Sequence, residues 1–506
     1  MSGAGCRGRV PGGDRWSSPR RADRLARPQT RQVTATASDD AASDDAAAPV
    51  RATVDDGAAA DDGAAADGER SARTPPLRRA VTGRLLYLFI LGDVLGAGIY
   101  ALVGEMAGTA GGLVWLSFLV ALAMALLTAF SYAELVTKYP HAGGSAVFAE
   151  RAYRSPLVAF LVGFCMLAAG LVSAAGLALA FTGEYLAAFL DVPQVPAAIV
   201  FLVVVALLNA RGIKESLRAN VLMTLVETAG LVTVVVLGAW VIGRGDADLS
   251  GALSAPEGSG TAVAVLGSAL VAFYSFVGFE TSANLAEEVR GVSRVYPRAL
   301  FGALLTAGVV YLLVGLVAPA VVPPDELADS TGPLLDVVRA AGGVPPGVFA
   351  VVALVAVANG ALLTMIMASR LAYGMAGRRL LPSALTRVLP GRRTPGVAIA
   401  ATTGVAVVLA ATGELVDLAS TVVLLLLFVF LSTNVAVLVL RRDAVGHEHF
   451  RAPTALPALA VVSCVVLLTQ QEARHWALAG VLLAAGAVLH LITARAHRGA
   501  PAAPLH

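Results

Sequence analysis

The chain has 506 residues, of which 57% are hydrophobic and 14% are charged, and its formal net charge is +2. Soluble chains typically carry roughly 25% charged residues, so this composition excludes an ordinary soluble protein. The mean hydropathy of +0.75 and the long apolar runs favour an all-α integral membrane protein. The runs are continuous and do not alternate with polar residues, which excludes a transmembrane β-barrel.

The first 75 residues differ from the rest of the chain. They are rich in Arg and then in Ala, Asp and Gly, with almost no large apolar side chain. Such a segment buries too little apolar surface to offset the entropy of ordering it. We therefore predict a disordered cytoplasmic tail over 1–75, a polytopic membrane domain over 76–497 and a C-terminal tail over 498–506. The Arg-rich start lacks an apolar core, so it is not a secretory signal.

Apolar windows long enough to cross a bilayer, about 20 residues as a helix, follow one another from residue 84. Two of them are separated only by Thr412-Gly413-Glu414, so eleven spans are the alternative to twelve. The twelve predicted spans lie near 84–107, 113–137, 156–182, 196–210, 218–243, 261–286, 298–320, 347–372, 395–412, 415–440, 456–470 and 476–495.

Loop charges predict the orientation. With twelve spans and a cytoplasmic N-terminus, 23 Lys and Arg residues fall in inside segments, and three, Arg244, Arg339 and Arg474, fall outside. Cytoplasmic loops of membrane proteins carry such an excess of basic residues. We therefore predict a multi-pass protein of the plasma membrane with both termini in the cytoplasm.

The first span is interrupted by glycine. Gly92, Gly96 and Gly98 lie within seven residues beside the carboxylate of Asp93. Glycine costs about 1 kcal/mol relative to alanine in a helix, and open backbone at membrane depth is tolerated only where it lines a cavity or is buried in protein. The segment thus predicts a binding site near mid-membrane depth. The alternative is that Gly96 and Gly98 only allow two helices to pack closely.

A second glycine-broken segment, residues 272–280, follows five spans later. Two interrupted spans at matching positions of two halves indicate an inverted-repeat transporter with its site between them. The identities and order of several segments then resemble the amino acid–polyamine–organocation permeases over about residues 80–440. The resemblance rests on Gly96-Ala-Gly-Ile99 (with Ala97 in place of the usual serine), Glu134–Ser145, Tyr274–Glu280 and Ser369–Pro395.

This resemblance implies a LeuT-type fold with twelve transmembrane helices. It has a 5+5 inverted repeat, here about 84–243 and 261–440, broken first and sixth helices, and two extra helices at about 456–495. It also implies transport of amino acids or related amines.

Both ends of an amino acid have predicted partners at the breaks. A half-helix N-terminus favours a carboxylate, so Gly96, Ala97, Gly98 and Ile99 are the candidates for that group. The resemblance places the carbonyls of Val94, Tyr274 and Val277 toward the amine and makes Tyr274 and Phe276 gate candidates. Gly278 completes the predicted site at the second break.

Three acids, Asp93, Glu227 and Glu280, lie inside predicted spans. Burying an ion in a membrane is costly, so such acids are functional candidates, and desolvation favours the protonated form of a carboxylate. We predict proton coupling through them; the resemblance links Glu280 to proton sensing and aligns Glu227 with a lysine of some proton-coupled relatives. The alternative for each is a buried acid satisfied by backbone or arginine. The pair Asp93 and Glu280 slightly favours cationic substrates.

No Walker motif, Ser-His-Asp spacing or metal-ligand constellation is present, so we predict neither an enzyme nor a metal, cofactor or nucleic-acid site. The sequence favours a secondary active transporter whose partners are a small amino acid or amine, protons and the lipid bilayer. The alternatives are an amine exchanger working as an antiporter, a transport-dead sensor signalling through the tail, and an ion channel.

Overall fold

A computed structural model of the chain describes residues 81–96, 98–140, 144–211, 216–255, 260–389, 392 and 394–496. The predicted tails over 1–75 and 498–506, and Ala97, lie outside the described residues. Within them the chain forms helices and turns, with one isolated parallel β-bridge between Val81 and Val289.

The helices of the first half are α1 (Gly83–Val94), α2 (Gly98–Ala110), α3 (Val114–Lys138), α4 (Gly144–Tyr153), α5 (Pro156–Phe181), α6 (Glu184–Ala187), α7 (Gln194–Arg211) and α8 (Ser216–Arg244). Those of the second half are α9 (Thr261–Tyr274), α10 (Val292–Val321), α11 (Pro324–Ala328), α12 (Pro333–Ala341), α13 (Pro346–Gly377), α14 (Gly396–Thr412), α15 (Leu415–Leu440), α16 (Ala455–Thr469) and α17 (Ala473–Ala496). Short 3-10 helices span Gly111–Leu113, Gly251–Leu253, Phe279–Glu288 and Ser383–Thr386.

Nine helical stretches of the described residues are long and apolar enough to cross a membrane, and two shorter apolar helices, α14 and α16, accompany them. The protein is therefore a multi-pass membrane protein. Gly413 and Glu414 separate α14 from α15, so the apolar stretch at this point is two helices. The arrangement of twelve spans in a 5+5 repeat stays a prediction.

Local sequence explains many of the helix ends. The Thr82 hydroxyl accepts a hydrogen bond from the Leu85 N–H at the start of α1, as N-cap residues do. Proline begins α5, α11, α12 and α13, where its missing N–H would be unpaired in any case. Within the spans, helical hydrogen bonding satisfies the backbone without water.

The interrupted helices lie at the centre of the bundle. α1 packs against α8 and α10, α2 against α9, and α5 against both α13 and α15. The run Thr261–Glu288 is the most buried of the nine candidate spans, and α17 is the least buried. Outward-facing apolar side chains such as Leu207 and Val481 then form a surface suited to lipid.

A buried ion pair lies at the end of the bundle that is predicted to be cytoplasmic. Arg441, at the end of α15, donates from Nε and Nη2 to the two carboxylate oxygens of Glu134 at 2.9 and 2.7 Å. The Ala452 N–H also donates to Glu134 Oε2, at 2.9 Å. Glu134 on α3 thereby fixes the chain that follows α15.

Candidate functional site

The first helix break separates α1 from α2. α1 is closed by the Leu95 N–H, which donates to the Leu91 carbonyl at 2.7 Å, and α2 begins at Gly98. A Cβ atom on Gly98 would lie 3.0 Å from both Cα and Oγ of Ser275. Glycine at this position therefore lets the second break approach the start of α2 closely.

The second break follows Tyr274, the last residue of α9, and leads into the 3-10 helix Phe279–Glu288. Gly278 has φ of 127°, in the region that side-chain-bearing residues rarely adopt. A Cβ atom there would lie 2.7 Å from the carbonyl oxygen of Asp93. The backbone bends sharply at Gly278, and this bend brings the two breaks into contact.

Tyr311 on α10 joins the two breaks. Its hydroxyl lies 2.6 Å from the Val94 carbonyl oxygen and 3.1 Å from the Ser275 carbonyl oxygen, so one proton is shared between carbonyls of both breaks. The Tyr311 ring is fully buried. This side chain thus satisfies backbone acceptors that the interrupted helices leave open.

A cavity of about 130 Å³ lies where the breaks meet; we call it the central cavity. Six of the predicted binding residues line it, and so do Asp93 and Glu280. The six are Val94, Gly96, Gly98, Tyr274, Val277 and Gly278. The remaining wall comes from α5, α13 and α15 and is mostly apolar, including Met166, Leu177, Leu363, Met367, Leu371, Val422 and Leu426.

Two predicted residues lie away from the cavity wall. Ile99 is fully buried, and Phe276 packs its ring against Phe118 and Tyr311, with centroids 6.5 and 5.1 Å apart. Of the two gate candidates, Tyr274 lines the cavity, and its hydroxyl hydrogen-bonds to Ser173 on α5 at 3.0 Å. Of the two gate candidates, Tyr274 therefore lies on the wall of the central cavity and Phe276 does not.

Both carboxylates on the cavity wall are bound to the second break. Asp93 accepts a hydrogen bond from the Thr281 hydroxyl, which also lies 2.8 Å from the Gly278 carbonyl oxygen. Glu280 accepts from the Gly278 N–H at 3.0 Å through Oε2. Asp93 is the penultimate residue of α1 and Glu280 lies two residues after Gly278, so both acids reach one cavity because the two breaks meet.

Glu227 belongs to a different cluster, between α8 and α13. Its Oε1 accepts from Asn359 at 3.2 Å, and Asn359 also reaches Asn220 Oδ1 at 3.4 Å. Glu227 is fully buried, and its Oε2 has no hydrogen-bond partner among the described residues. Gly360, the neighbour of Asn359, lines the central cavity, so α13 connects the cluster to the cavity.

A wider cavity of about 600 Å³ adjoins the central one. The two share Asp93, Thr281, Leu363, Met367 and Leu371 on their walls. Arg370 and Arg378 also line the wider cavity, near the end of α13 that loop charges predict to be cytoplasmic. Asp93 therefore lies at the junction of the two spaces.

Sequence reasoning missed Ser173, Ser275 and Thr281, three of the polar side chains on the wall of the central cavity. Ser173 lies in a continuous apolar helix, so no local pattern marks it. Ser275 and Thr281 flank the recognised break, and that proximity is the signal that could have found them. Among the described residues, no group of three or more His, Cys, Asp or Glu side chains could hold a metal ion.

Comparison with known proteins gives a consistent result. The family described as "Amino acid permease" matches residues 85–478. The branched-chain amino acid permease BcaP of Bacillus subtilis is 26% identical over 79% of this chain and 89% of its own length. The methylthioribose transporter of the same organism is 26% identical over 84% of this chain and 95% of its own.

A plant protein extends the similarity. The vacuolar cationic amino acid transporter 2 of Arabidopsis thaliana is 34% identical to this chain. The similar region covers 72% of this chain and 60% of the plant protein. The family match covers both helix breaks and the cavity between them. These matches are to transporters rather than enzymes, as the sequence predicted. The chain belongs to the amino acid permease family of multi-pass membrane transporters.

Proposed function

We propose that the protein is a secondary active transporter that moves amino acids or related amines across the plasma membrane by alternating access, coupled to protons. The observation that carries the proposal is the central cavity at the contact of two interrupted helices. Such interruptions leave unpaired backbone N–H and carbonyl groups, which match the two charged ends of an amino acid. Transporters bind their substrates at this kind of junction.

The substrate carboxylate is assigned to the start of α2, from Gly96 through Gly98 and Ile99, where free N–H groups carry partial positive charge. The ammonium is assigned to the carbonyls of Val94, Tyr274 and Val277. Val94 already accepts from Tyr311 at 2.6 Å, yet a carbonyl oxygen has two lone pairs. Ala97 belongs to the same proposed subsite, although it lies outside the described residues.

Proton coupling is assigned to Asp93, Glu280 and Glu227. The first two line the central cavity, where substrate can reach them. Glu227 is fully buried, and one of its oxygens has no partner in the described part of the chain. A carboxylate in such surroundings is more easily kept neutral than charged, so each can accept a proton and release it when its surroundings change.

Alternating access requires that the helices carrying the breaks move against the rest. We assign the transmembrane helices to two inverted repeats of five helices each, at about 84–243 and 261–440, followed by two extra helices at about 456–495. The wider cavity, lined by Arg370 and Arg378, is the proposed route toward the cytoplasm. Relatives named for branched-chain and cationic amino acids support an amino acid substrate, while one named for methylthioribose shows that family membership alone does not choose it.

Uptake by the purified full-length protein in liposomes tests the proposal. Labelled amino acids and polyamines are screened with acid outside, with acid inside and with no pH gradient. We expect accumulation driven by outside acid and abolished by a protonophore. Uptake that requires liposomes preloaded with amine would replace proton coupling by exchange. Saturable binding without any uptake would support an amino acid sensor instead.

A further inference from the structure

A third cavity is a groove between the first turns of α1 and α10, at the end of the bundle that is predicted to be cytoplasmic. We call it the α1–α10 groove; its volume is about 450 Å³. Arg84 on α1 and Arg298 on α10 line it together with uncharged side chains that include Tyr87, Leu88 and Val295. Its lining contains no Asp or Glu among the described residues. The groove is therefore apolar, with two positive charges and no acid to balance them.

The two guanidinium groups of the α1–α10 groove have no partner in the described part of the chain. Arg84 and Arg298 are exposed residues, and neither makes an ion pair or a hydrogen bond with another described residue. By contrast, Arg441 at the same end of the bundle is paired with Glu134 at 2.7 Å. A guanidinium binds a carboxylate or a phosphate through two parallel hydrogen bonds. An anion from outside the chain thus meets no competing acid in the groove.

Both arginines are predicted to lie at the depth of lipid headgroups. Arg84 is the first residue of the predicted span 84–107, and Arg298 is the first residue of the predicted span 298–320. An arginine near the end of a transmembrane helix keeps its charge at the interface between membrane and water. The headgroup region of a phospholipid bilayer is at this level. A phosphate group of the cytoplasmic leaflet is therefore within reach of both side chains.

The surface of α10 beyond Arg298 is apolar and uncovered. Leu305 and Val309 follow Arg298 by about two and three helical turns, and they are 49% and 55% exposed. These side chains share a face with Arg298 and are left to the hydrocarbon of the bilayer. Within the groove, Leu88 and Val295 continue the apolar surface toward the arginines. A molecule that has both a phosphate and an acyl chain fits the two parts at once.

The charge of the groove selects among phospholipids. Cytoplasmic leaflets carry anionic lipids, which attract basic side chains near the membrane surface. Phosphatidylcholine also has a phosphate, but its own quaternary ammonium group is repelled by two arginines that no acid balances. Phosphatidylglycerol has a phosphate and no cation. The α1–α10 groove is therefore complementary to a lipid with net negative charge.

We propose that the α1–α10 groove binds one anionic phospholipid of the cytoplasmic leaflet, with its phosphate on Arg84 and Arg298 and an acyl chain along the apolar face of α10. The two helices are already linked here, because the Tyr87 hydroxyl lies 2.9 Å from the Thr306 hydroxyl. The lipid adds a second link at the start of α1, the helix that leads to the first break. This inference depends on neither the substrate nor the coupling ion.

Competition between two lipids tests the proposal. The purified full-length protein in detergent is mixed with equal amounts of dioleoylphosphatidylglycerol and dioleoylphosphatidylcholine, and native mass spectrometry identifies the first lipid retained. We expect phosphatidylglycerol to be favoured by at least about tenfold, because each arginine near an anionic headgroup contributes about fivefold. The double variant Arg84→Gln with Arg298→Gln should lower this preference to less than about threefold.

The matched control removes the same charge elsewhere. Arg387 and Arg442 are exposed residues at the same predicted end of the bundle, and neither lines the groove. Arg387→Gln with Arg442→Gln should keep the lipid preference of the unmodified protein. An equal loss in the two double variants would show that overall surface charge selects the lipid, which would overturn the groove as its site.

Amide hydrogen exchange locates the lipid without any substitution. Phosphatidylglycerol should slow exchange in the first turns of α1 and α10 of the unmodified protein, and phosphatidylcholine should not. This measurement decides the site even if the double variant does not fold. Protection confined to other helices would overturn the proposal, as would equal retention of the two lipids.

Soluble anions separate a lipid site from a phosphate site. Inorganic phosphate and glycerophosphoglycerol, which is the headgroup without acyl chains, are added to the protein in detergent. We expect phosphatidylglycerol to raise the unfolding temperature and the two soluble anions to leave it unchanged, because they gain nothing from the apolar surface at Leu88 and Val295. Equal stabilisation by glycerophosphoglycerol would replace the lipid by a free anion.

Discussion

The carbonyl oxygen of Asp93 lies 2.7 Å from the point that a Cβ atom on Gly278 would occupy. The two residues belong to different helix breaks, and this close approach is how the breaks come into contact. The close approach and the hydrogen bond from the Thr281 hydroxyl to the Asp93 carboxylate hold together the part of the cavity wall where the breaks meet. A side chain at position 278 would collide with the Asp93 backbone at this contact.

Gly278→Ala should greatly reduce uptake. The new methyl group meets a backbone atom, and the φ of 127° disfavours any side chain, at a cost of about 1–3 kcal/mol. Uptake and the thermal unfolding temperature in detergent are the measurements. Gly404→Ala is the control, because a Cβ there meets nothing within 4 Å. Wild-type uptake by Gly278→Ala would show that the breaks are not held in this contact.

Tyr311→Phe should destabilise the protein and slow transport. The change removes the hydroxyl that the carbonyls of Val94 and Ser275 share, leaving buried acceptors at a cost of about 1–3 kcal/mol. Chemical unfolding measures the stability and liposome uptake measures the function. Tyr373→Phe, at a side chain that is 40% exposed, should change neither. Equal unfolding curves for the two variants would contradict the structural role of Tyr311.

Glu227→Gln should separate coupling from binding. Glutamine keeps an acceptor for Asn359, which lies 3.2 Å from Glu227 Oε1, and it cannot carry a proton. We expect exchange between preloaded liposomes and medium to persist and acid-driven accumulation to fall by at least about tenfold if proton transfer is lost. Glu326→Gln, at an exposed residue of α11, is the control. Undiminished accumulation in Glu227→Gln would remove Glu227 from the proton pathway.

Glu134→Gln should lower the stability of the bundle without altering substrate preference. Arg441 is 10% exposed and would keep a buried charge without its partner, which costs about 3 kcal/mol. The matched control is Glu448→Gln, whose pair with Arg294 spans 3.9 Å between side chains that are 94% and 81% exposed. No measurable change is expected there, because exposed pairs contribute little. Equal unfolding temperatures for Glu134→Gln and Glu448→Gln would contradict the prediction that the buried ion pair stabilises the bundle more than the exposed pair does.

The sequence located the breaks because glycine acts locally. Glycine lowers helix propensity, and Gly96, Gly98 and Gly278 lie close to carboxylates, which are unusual in an apolar span. Phe276 shows what local sequence patterns do not predict. The sequence places this residue in the second break, but it does not tell which way the aromatic ring points. That direction depends on Phe118 and Tyr311, which are distant in sequence and contribute the pocket that the ring fills.

By itself, the sequence determined that this is a helical membrane protein and where its central helices are interrupted. Hydropathy and helix propensity are properties of short segments, so they can be read without knowing the fold. Only the tertiary structure decided that Asp93 and Glu280 share one cavity while Glu227 lies in a separate cluster with Asn359, and that Ser275 faces the start of α2. These relationships join residues from different helices, and they depend on how the helices pack rather than on any pattern along the chain.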